Sequence, residues 1–355
     1  MKVLRRLTSS AMFPPLLALA LILLFNLFFQ PDFLTLELRQ IQGADGEMTY
    51  RLFGGLINTI NRAVPVMILA MGMTLAIATG GVDLSVGSVL AVCGAVTIVL
   101  IRGDDVSPTA ATSMAIPLVI IIALVVGIIC GIWNGTLVAK IGMPPVVATL
   151  ILMVAGRGLT QNITGERSVT SGYEPFAEIA RGATLAIPNQ IWIAGGIFLL
   201  FWLITRKTAF GMYVESVGAN RSAATYAGIK STRIIIIIYA LSGFCAAVAG
   251  ILFASELMVV APMNAGMNRE LDAIVAVVLG GTSMSGGKFN IGGTVVGALI
   301  LQLLNQTLLF YGVPPEFFLA VQAVVIVLIV IVQSPVTHKF ITSKFKISKK
   351  QGGKV

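Results

Sequence analysis

The sequence predicts an all-α polytopic membrane protein of about ten transmembrane helices with Gly-rich breaks and both termini on the cytoplasmic side. Three observations carry that prediction. Of 355 residues, 57% are hydrophobic and only 11% charged, more apolar material than a soluble core of this size needs. The apolar residues fall into blocks of roughly 17–25, the length that crosses ~30 Å of hydrocarbon. Lys and Arg gather in alternate connections between those blocks, as cytoplasmic loops do. A membrane β-barrel is excluded, because its strands would be ~10 residues long and alternating.

The first block, 11–29, follows a basic start (Lys2, Arg5, Arg6) and precedes Gln30, Pro31 and Asp32. A cleaved signal peptide has a shorter apolar core and a small-residue site after it. An uncleaved first membrane helix is therefore expected, followed by a polar outer segment, 34–50. Further spans are expected near 57–79, 83–101, 114–139, 144–160, 191–205, 234–255, 271–283, 291–311 and 317–333. With both ends inside, the interior loops hold sixteen of the 24 Lys plus Arg. The acids, Glu37, Asp104, Glu166, Glu256, Glu270 and Asp272 among them, then fall outside or at the outer rim. The span 271–283 is short: its apolar run 273–281 reaches about half a bilayer at ~1.5 Å per residue. It is kept as a short or broken crossing, since losing it would put the Lys-rich tail outside. The membrane domain thus covers 1–335, and 336–355 forms a basic cytoplasmic tail.

The net charge of +9 follows from basic cytoplasmic loops, so no nucleic acid is implied. Cys93, Cys130 and Cys245 lie in apolar stretches without ligand spacing, and the one histidine, His338, is in the basic tail. No metal site and no catalytic residue is expected. The stretch 281–288 approaches a phosphate loop and fails, with Thr282 where a glycine is required and Phe289 after Lys288.

Two glycine-rich breaks interrupt hydrophobic territory, one at 80–87 and one at 280–287. Unwound backbone at membrane depth survives where it is buried in protein or lines a wet cavity. Both breaks therefore mark a pathway, or else are tight cytoplasmic turns. Asp83 lies in the first of them, the one acid embedded in apolar sequence. It either caps the following helix, accepting from the N–H groups of residues 85–87, or lines the pathway. Ser85 belongs with it. Gln302, Asn305 and Gln306, at i, i+3 and i+4, share a helix face. Trp133 and Asn134 interrupt the fourth span, and Arg157 shares a face with Gln161 in the fifth. Such groups suit a hydroxyl-rich neutral solute, or equally hydrogen bonds between helices.

The long basic break, 211–233, mixes Gly and Ala with Arg221, Lys230 and Arg233 and has one acid, Glu215. It is expected to be a cytoplasmic segment that receives work from another protein. Asn220 and Ser222 are candidate caps of a short helix with small side chains, Gly228 its stop, and Arg221 a charged anchor.

These motifs form an ordered series. Residues 70–74 lead to the break at 80–87, and Ala148-Thr149-Leu150 precedes Gly156-Arg157-Gly158. Thr208-Ala209-Phe210-Gly211 runs on to Gly218-Ala219-Asn220 and Ala227-Gly228-Ile229. Leu241-Ser242-Gly243, the break at 280–287 and Pro314-Pro315-Glu316 complete it. Over roughly 55–335 the series resembles the permease family of ATP-driven sugar importers of the ribose, xylose and galactofuranose type, most of all the last. The resemblance implies a multi-pass protein of the bacterial inner membrane, paired with an identical or different permease chain. It implies a cytoplasmic ABC ATPase that carries ATP and Mg, a periplasmic sugar-binding protein, and no cofactor on this chain. It also implies a coupling helix within 215–229, with Glu215, Gly218, Asn220, Arg221, Ala224 and Gly228 as its contact residues. The expected function is then that of a non-catalytic permease subunit for a monosaccharide. Two alternatives stay open: an ion- or proton-coupled carrier titrating at Asp83, and a related permease for an amino acid or signalling furanone.

Overall fold

In hydrocarbon every backbone N–H and C=O must be bonded within the chain, so apolar blocks of this length become helices. The computed structural model describes residues 12–29, 33, 35–42, 48–102 and 114–333, and the tail 336–355 lies outside them. Along the chain come α1 (Phe13–Phe29), α2 (Gly55–Ala78), α3 (Val86–Ile101) and α4 (Ile116–Thr136), the last prolonged by a π turn at Leu137–Ile141. Then follow α5 (Pro145–Thr164), α6 (Glu174–Arg181), α7 (Asn189–Lys207), α8 (Phe210–Ala219) and α9 (Arg221–Tyr226). The series closes with α10 (Ser231–Leu257), α11 (Arg269–Leu279), α12 (Ile291–Phe310) and α13 (Phe318–Gln333).

Six of these are long and apolar enough to cross a membrane: α2, α4 with its π turn, α5, α7, α10 and α12. The α1 and α3 helices are shorter and equally apolar. The protein is therefore a multi-pass helical membrane protein. The segment expected to be short or broken is short. Helix α11 has 11 residues, ~16 Å, so the crossing expected near 271–283 is no continuous membrane helix. Gly280 and Gly281 end it.

The bundle has a centre and a skin. Helices α2 and α10 are largely buried, whereas α4, α5 and α7 expose most of their length. On α4 the exposed side chains Leu118, Ile121, Val125, Ile129 and Ile132 recur at helical spacing and face outward. The opposite stripe is Gly127, Gly131 and Gly135, and it packs on α10. A β-carbon at Gly127 would lie 2.5 Å from the main-chain oxygen of Gly243, and one at Gly131 would collide with that of Tyr239. Small residues at this spacing let two membrane helices approach closely, where dispersion can act between them.

The all-α class holds, with a few short strands outside the helices. Strands β1 (Glu37–Gln42) and β2 (Met48–Phe53) pair antiparallel, Glu37 opposite Phe53, in the segment expected only to be polar. Three shorter pieces follow, β3 (Val169–Thr170), β4 (Ala183–Thr184) and β5 (Ile187–Pro188), and then β6 (Val259–Val260). They form the pairs β3–β6 and β4–β5. The hairpin is tied down by Arg51, which donates to the carbonyl of Arg181 and stacks its guanidinium 5.2 Å from the Phe53 ring centroid. Hydropathy is silent about such strands because they lie outside every apolar block.

Candidate translocation and coupling site

Asp83 is 2% exposed, and its two oxygens join separate helices. Oδ1 accepts from the Ser85 amide at 3.1 Å and from the Ser85 hydroxyl at 2.6 Å. Oδ2 accepts from the Ser242 hydroxyl on α10 at 2.8 Å. Asn134 on α4 donates to Ser85 Oγ at 2.8 Å, and the Asp83 amide points at the Met73 sulfur of α2 at 3.4 Å. The carboxylate does not cap residues 85–87 as a set, as one expectation had it. It takes one amide, that of Ser85, and spends its remaining capacity on hydroxyls. A carboxylate accepts up to four bonds, and an unmet one is costly away from water.

The node lies deep. Ser242 stands eleven residues after Ser231, the start of α10, ~16 Å along the axis. Chain leaving α2 at Ala78 therefore turns back into the bundle before α3 begins at Val86. The break at 80–87 is non-helical as far as Ser85, with Gly80 at φ +78°, a conformation glycine adopts without strain.

The two glycine breaks meet. Gly287 in the second donates its amide to the carbonyl of Ala78, the last residue of α2, at 2.8 Å. Gly218, near the end of α8, closes the junction: a β-carbon there would collide with Ala78 O and stand 2.6 Å from Gly287 N. The basic segment predicted to receive work thus packs directly on both breaks.

Downstream, Asn220 caps α9 with Oδ1 accepting from the Ala223 amide at 2.9 Å. Ser222 lies inside the helix. Ala224 is buried, and Gly228 ends the segment at φ +87°. Glu215 lines a surface hollow with Lys207 and Phe289. Arg221 is tied to the protein's own chain, donating to the carbonyl of Ala139 at 2.8 Å.

Other candidates are not brought to the node. Trp133, although next to Asn134, is 56% exposed on the outer face. Asn305 accepts from Gln322 of α13 at 2.7 Å, an interhelical bond, and Gln302 lies on the same helix as Asn305. Arg157 forms an ion pair with Glu270 at 3.5 Å. Glu270, expected outside or at the outer rim, is buried within the protein. The carboxyl is 6% exposed, and a β-carbon on Gly87 would collide with it. The loop before α11 dips inward and carries Glu270 with it, which its sequence neighbours Arg269 and Asp272 conceal. Two tyrosines also escaped sequence reasoning. Tyr239 is buried with its hydroxyl unpartnered, and Tyr226 is 92% exposed at the end of α9. Among the described residues no group of three or more His, Cys, Asp and Glu could hold a metal ion.

Unwound backbone folded back to a buried polar node, and joined to a cationic surface helix, is the construction of a solute permease. The chain belongs to the family described as branched-chain amino acid transport system/permease component, whose model matches residues 55–330. It is 46% identical to the galactofuranose transporter permease protein of Escherichia coli K12 over 321 residues, 90% of this chain and 89% of that one. It is 39% identical to the fructose import permease protein of Bifidobacterium longum, covering 94% of this chain and 90% of that one. The ribose import permease protein of Escherichia coli K12 is 40% identical, covering 79% and 85%. No solved structure matches.

Proposed function

We propose that this chain is the membrane-spanning subunit of an ABC importer that moves a monosaccharide of the galactofuranose, ribose, arabinose or xylose type into the cytoplasm. A separate ATPase, with its ATP and Mg, supplies the energy, and the chain itself catalyses nothing. A periplasmic sugar-binding protein delivers the solute, and a second permease chain completes the pathway. The chain resides in a bacterial inner membrane with ten crossings, counting the broken one, and both ends in the cytoplasm. Asp83, Ser85, Asn134 and Arg157 border the route; Glu215, Gly218, Asn220, Arg221, Ala224 and Gly228 serve the ATPase contact.

One observation carries this reading. Gly218, in the segment offered to the ATPase, packs against Ala78 and Gly287, so movement of that segment must displace both breaks together. The three relatives described above are all named for sugars.

The experiment is reconstitution. Vesicles holding the chain with its ATPase and binding protein should accumulate labelled sugar only when ATP is inside the compartment that bears the ATPase. Uptake by the chain alone under an imposed proton gradient would instead establish a secondary carrier.

A further inference from the structure

Below the Asp83 node lies a cavity of about 250 Å³, just under the ~300 Å³ at which pockets for drug-sized ligands begin. Its walls include Gly81, Met143, Pro145, Ile235 and Tyr239, and Arg221 of α9 stands on its rim. Tyr239 lines this space, and its hydroxyl is buried behind the wall without a hydrogen-bond partner. A buried hydroxyl left unpaired costs about 1–3 kcal/mol, which a ligand hydroxyl can recover.

The backbone that carries the ring is held. Helix α4 clamps the Tyr239 backbone, with a β-carbon on Gly131 colliding with its carbonyl and one on Gly135 only 3.2 Å from its Cβ. Ile235, Tyr239 and Ser242 follow at i, i+4 and i+7, so they line one face of α10. That face runs from the cavity, past the tyrosine, to the hydroxyl that binds Asp83. Across the gap Gly81 leaves almost no clearance: its β-carbon would stand 2.7 Å from the Tyr239 hydroxyl and 3.4 Å from Pro145 Cβ.

We propose that this cavity is the cytoplasmic release subsite for a neutral polyhydroxylated solute, and that Tyr239 closes it against the Asp83 node. The inference rests on the importer reading above. A phenol both donates and accepts, which suits a sugar hydroxyl. The walls mix apolar side chains with Thr79 and Arg221, and no Asp or Glu stands among their described residues, so a cationic solute would find no counterion, while Arg221 gives one of its five N–H groups to the Ala139 carbonyl. Because Arg221 belongs to α9, occupancy of the cavity and the position of the basic segment are coupled at one edge.

The test starts from the assembled transporter with its ATPase and binding protein, offered labelled ribose, fructose and galactofuranose. If wild type accumulates none of them, the importer reading fails before the subsite is examined. With a transported sugar in hand, Gly81→Ala should cut uptake about tenfold by driving a methyl onto the Tyr239 hydroxyl. Gly81→Ala combined with Tyr239→Phe should return it to within about threefold of Tyr239→Phe alone, because the colliding oxygen is gone. A second measurement does not depend on those variants folding. Met143→Cys, with the three native cysteines replaced by Ala, should react with a membrane-impermeant maleimide from the cytoplasmic face. The transported sugar should slow that reaction about tenfold when turnover is running. No rescue in the double variant, or labelling of Met143→Cys indifferent to the sugar, overturns the proposal.

Discussion

Arg221 on α9 donates to the main-chain oxygen of Ala139 at 2.8 Å, and Ala139 sits in the π turn that prolongs α4. A π turn widens the helix and leaves a carbonyl aimed outward, where an outside donor can take it. Five residues earlier on the same rod, Asn134 holds Ser85, which holds Asp83. The basic segment is thereby connected to the buried node through one stiff element and three hydrogen bonds. A displacement of α9 cannot leave Asn134 where it was unless the π turn absorbs it.

Arg221→Ala should therefore uncouple the transporter while leaving insertion intact. A hydrogen bond from a charged donor is worth ~1.5–3 kcal/mol, so sugar-stimulated ATP hydrolysis should fall about tenfold or more. Arg221→Lys should keep part of it, since a single carbonyl needs one donor and not the planar fork. The measurement is ATPase activity of the reconstituted complex with and without loaded binding protein. Wild-type stimulation in the Ala variant would remove Arg221 from the coupling path.

Gly218→Val tests the junction of the two breaks. Its side chain would enter the space of Ala78 O and Gly287 N, so α8 must move off both. Uptake should be abolished while the protein still reaches the membrane. Gly165→Ala, at the end of α5, is the comparison: at φ +62° an alanine is strained by ~1–2 kcal/mol, but nothing stands within contact distance. It should lower the melting temperature modestly and leave uptake within about threefold of wild type. Equal losses in both variants would mean that the crowding at Gly218 has no special consequence.

Much of this architecture is legible in the sequence, for a simple reason. Lipid leaves the backbone no alternative to helix, so apolar blocks such as 234–255 and 291–311 read directly as α10 and α12. What stayed hidden depends on contacts between distant segments. Glu270 begins an apolar run next to Arg269 and Asp272 and looks like a rim residue. Only the inward dip of the preceding loop puts it against Gly87. Tyr239, followed by Ala240, is one aromatic in an apolar helix, and its significance lies in Gly81, far away in sequence. The Gly127, Gly131, Gly135 spacing was visible, yet the partner, α10, was not. The hairpin at β1 and β2 escaped because its stability comes from pairing and from Arg51, neither of which leaves a hydropathy signal.

Asp83→Ala and Asp83→Asn should separate a structural role from a proton-carrying one. Alanine strands the hydroxyls of Ser85 and Ser242; with ~0.6 kcal/mol per interhelical hydrogen bond in membranes, unfolding in detergent should come about 1–2 kcal/mol more easily. Asparagine keeps one acceptor and should lose about half as much. If Asp83 only joins helices, the Asn variant retains ATP-driven uptake that ignores a proton gradient. An Asn variant that folds as wild type and yet transports nothing would point to a titrating carboxyl.

Tyr226 ends α9 with its ring 92% exposed. It makes no hydrogen bond recorded in the structure, and Thr225 beside it is already satisfied by the Arg221 carbonyl and Ser231. Internal stability gives no reason for an aromatic there. A rigid ring that presents apolar area on a short, capped helix does suit a pocket on a partner, where such rings contribute most of the binding energy. Tyr226→Ala should leave the melting temperature of the isolated chain unchanged and weaken its association with the ATPase by ~2 kcal/mol, about 30-fold. Tyr226→Phe should bind nearly as wild type, since the area is kept and only the hydroxyl is lost. The comparison is a titration of detergent-solubilised chain with purified ATPase. A Tyr226→Ala chain that binds as tightly as wild type would leave Arg221 and the small face of α9, with Ala224 turned inward, as the whole of the contact.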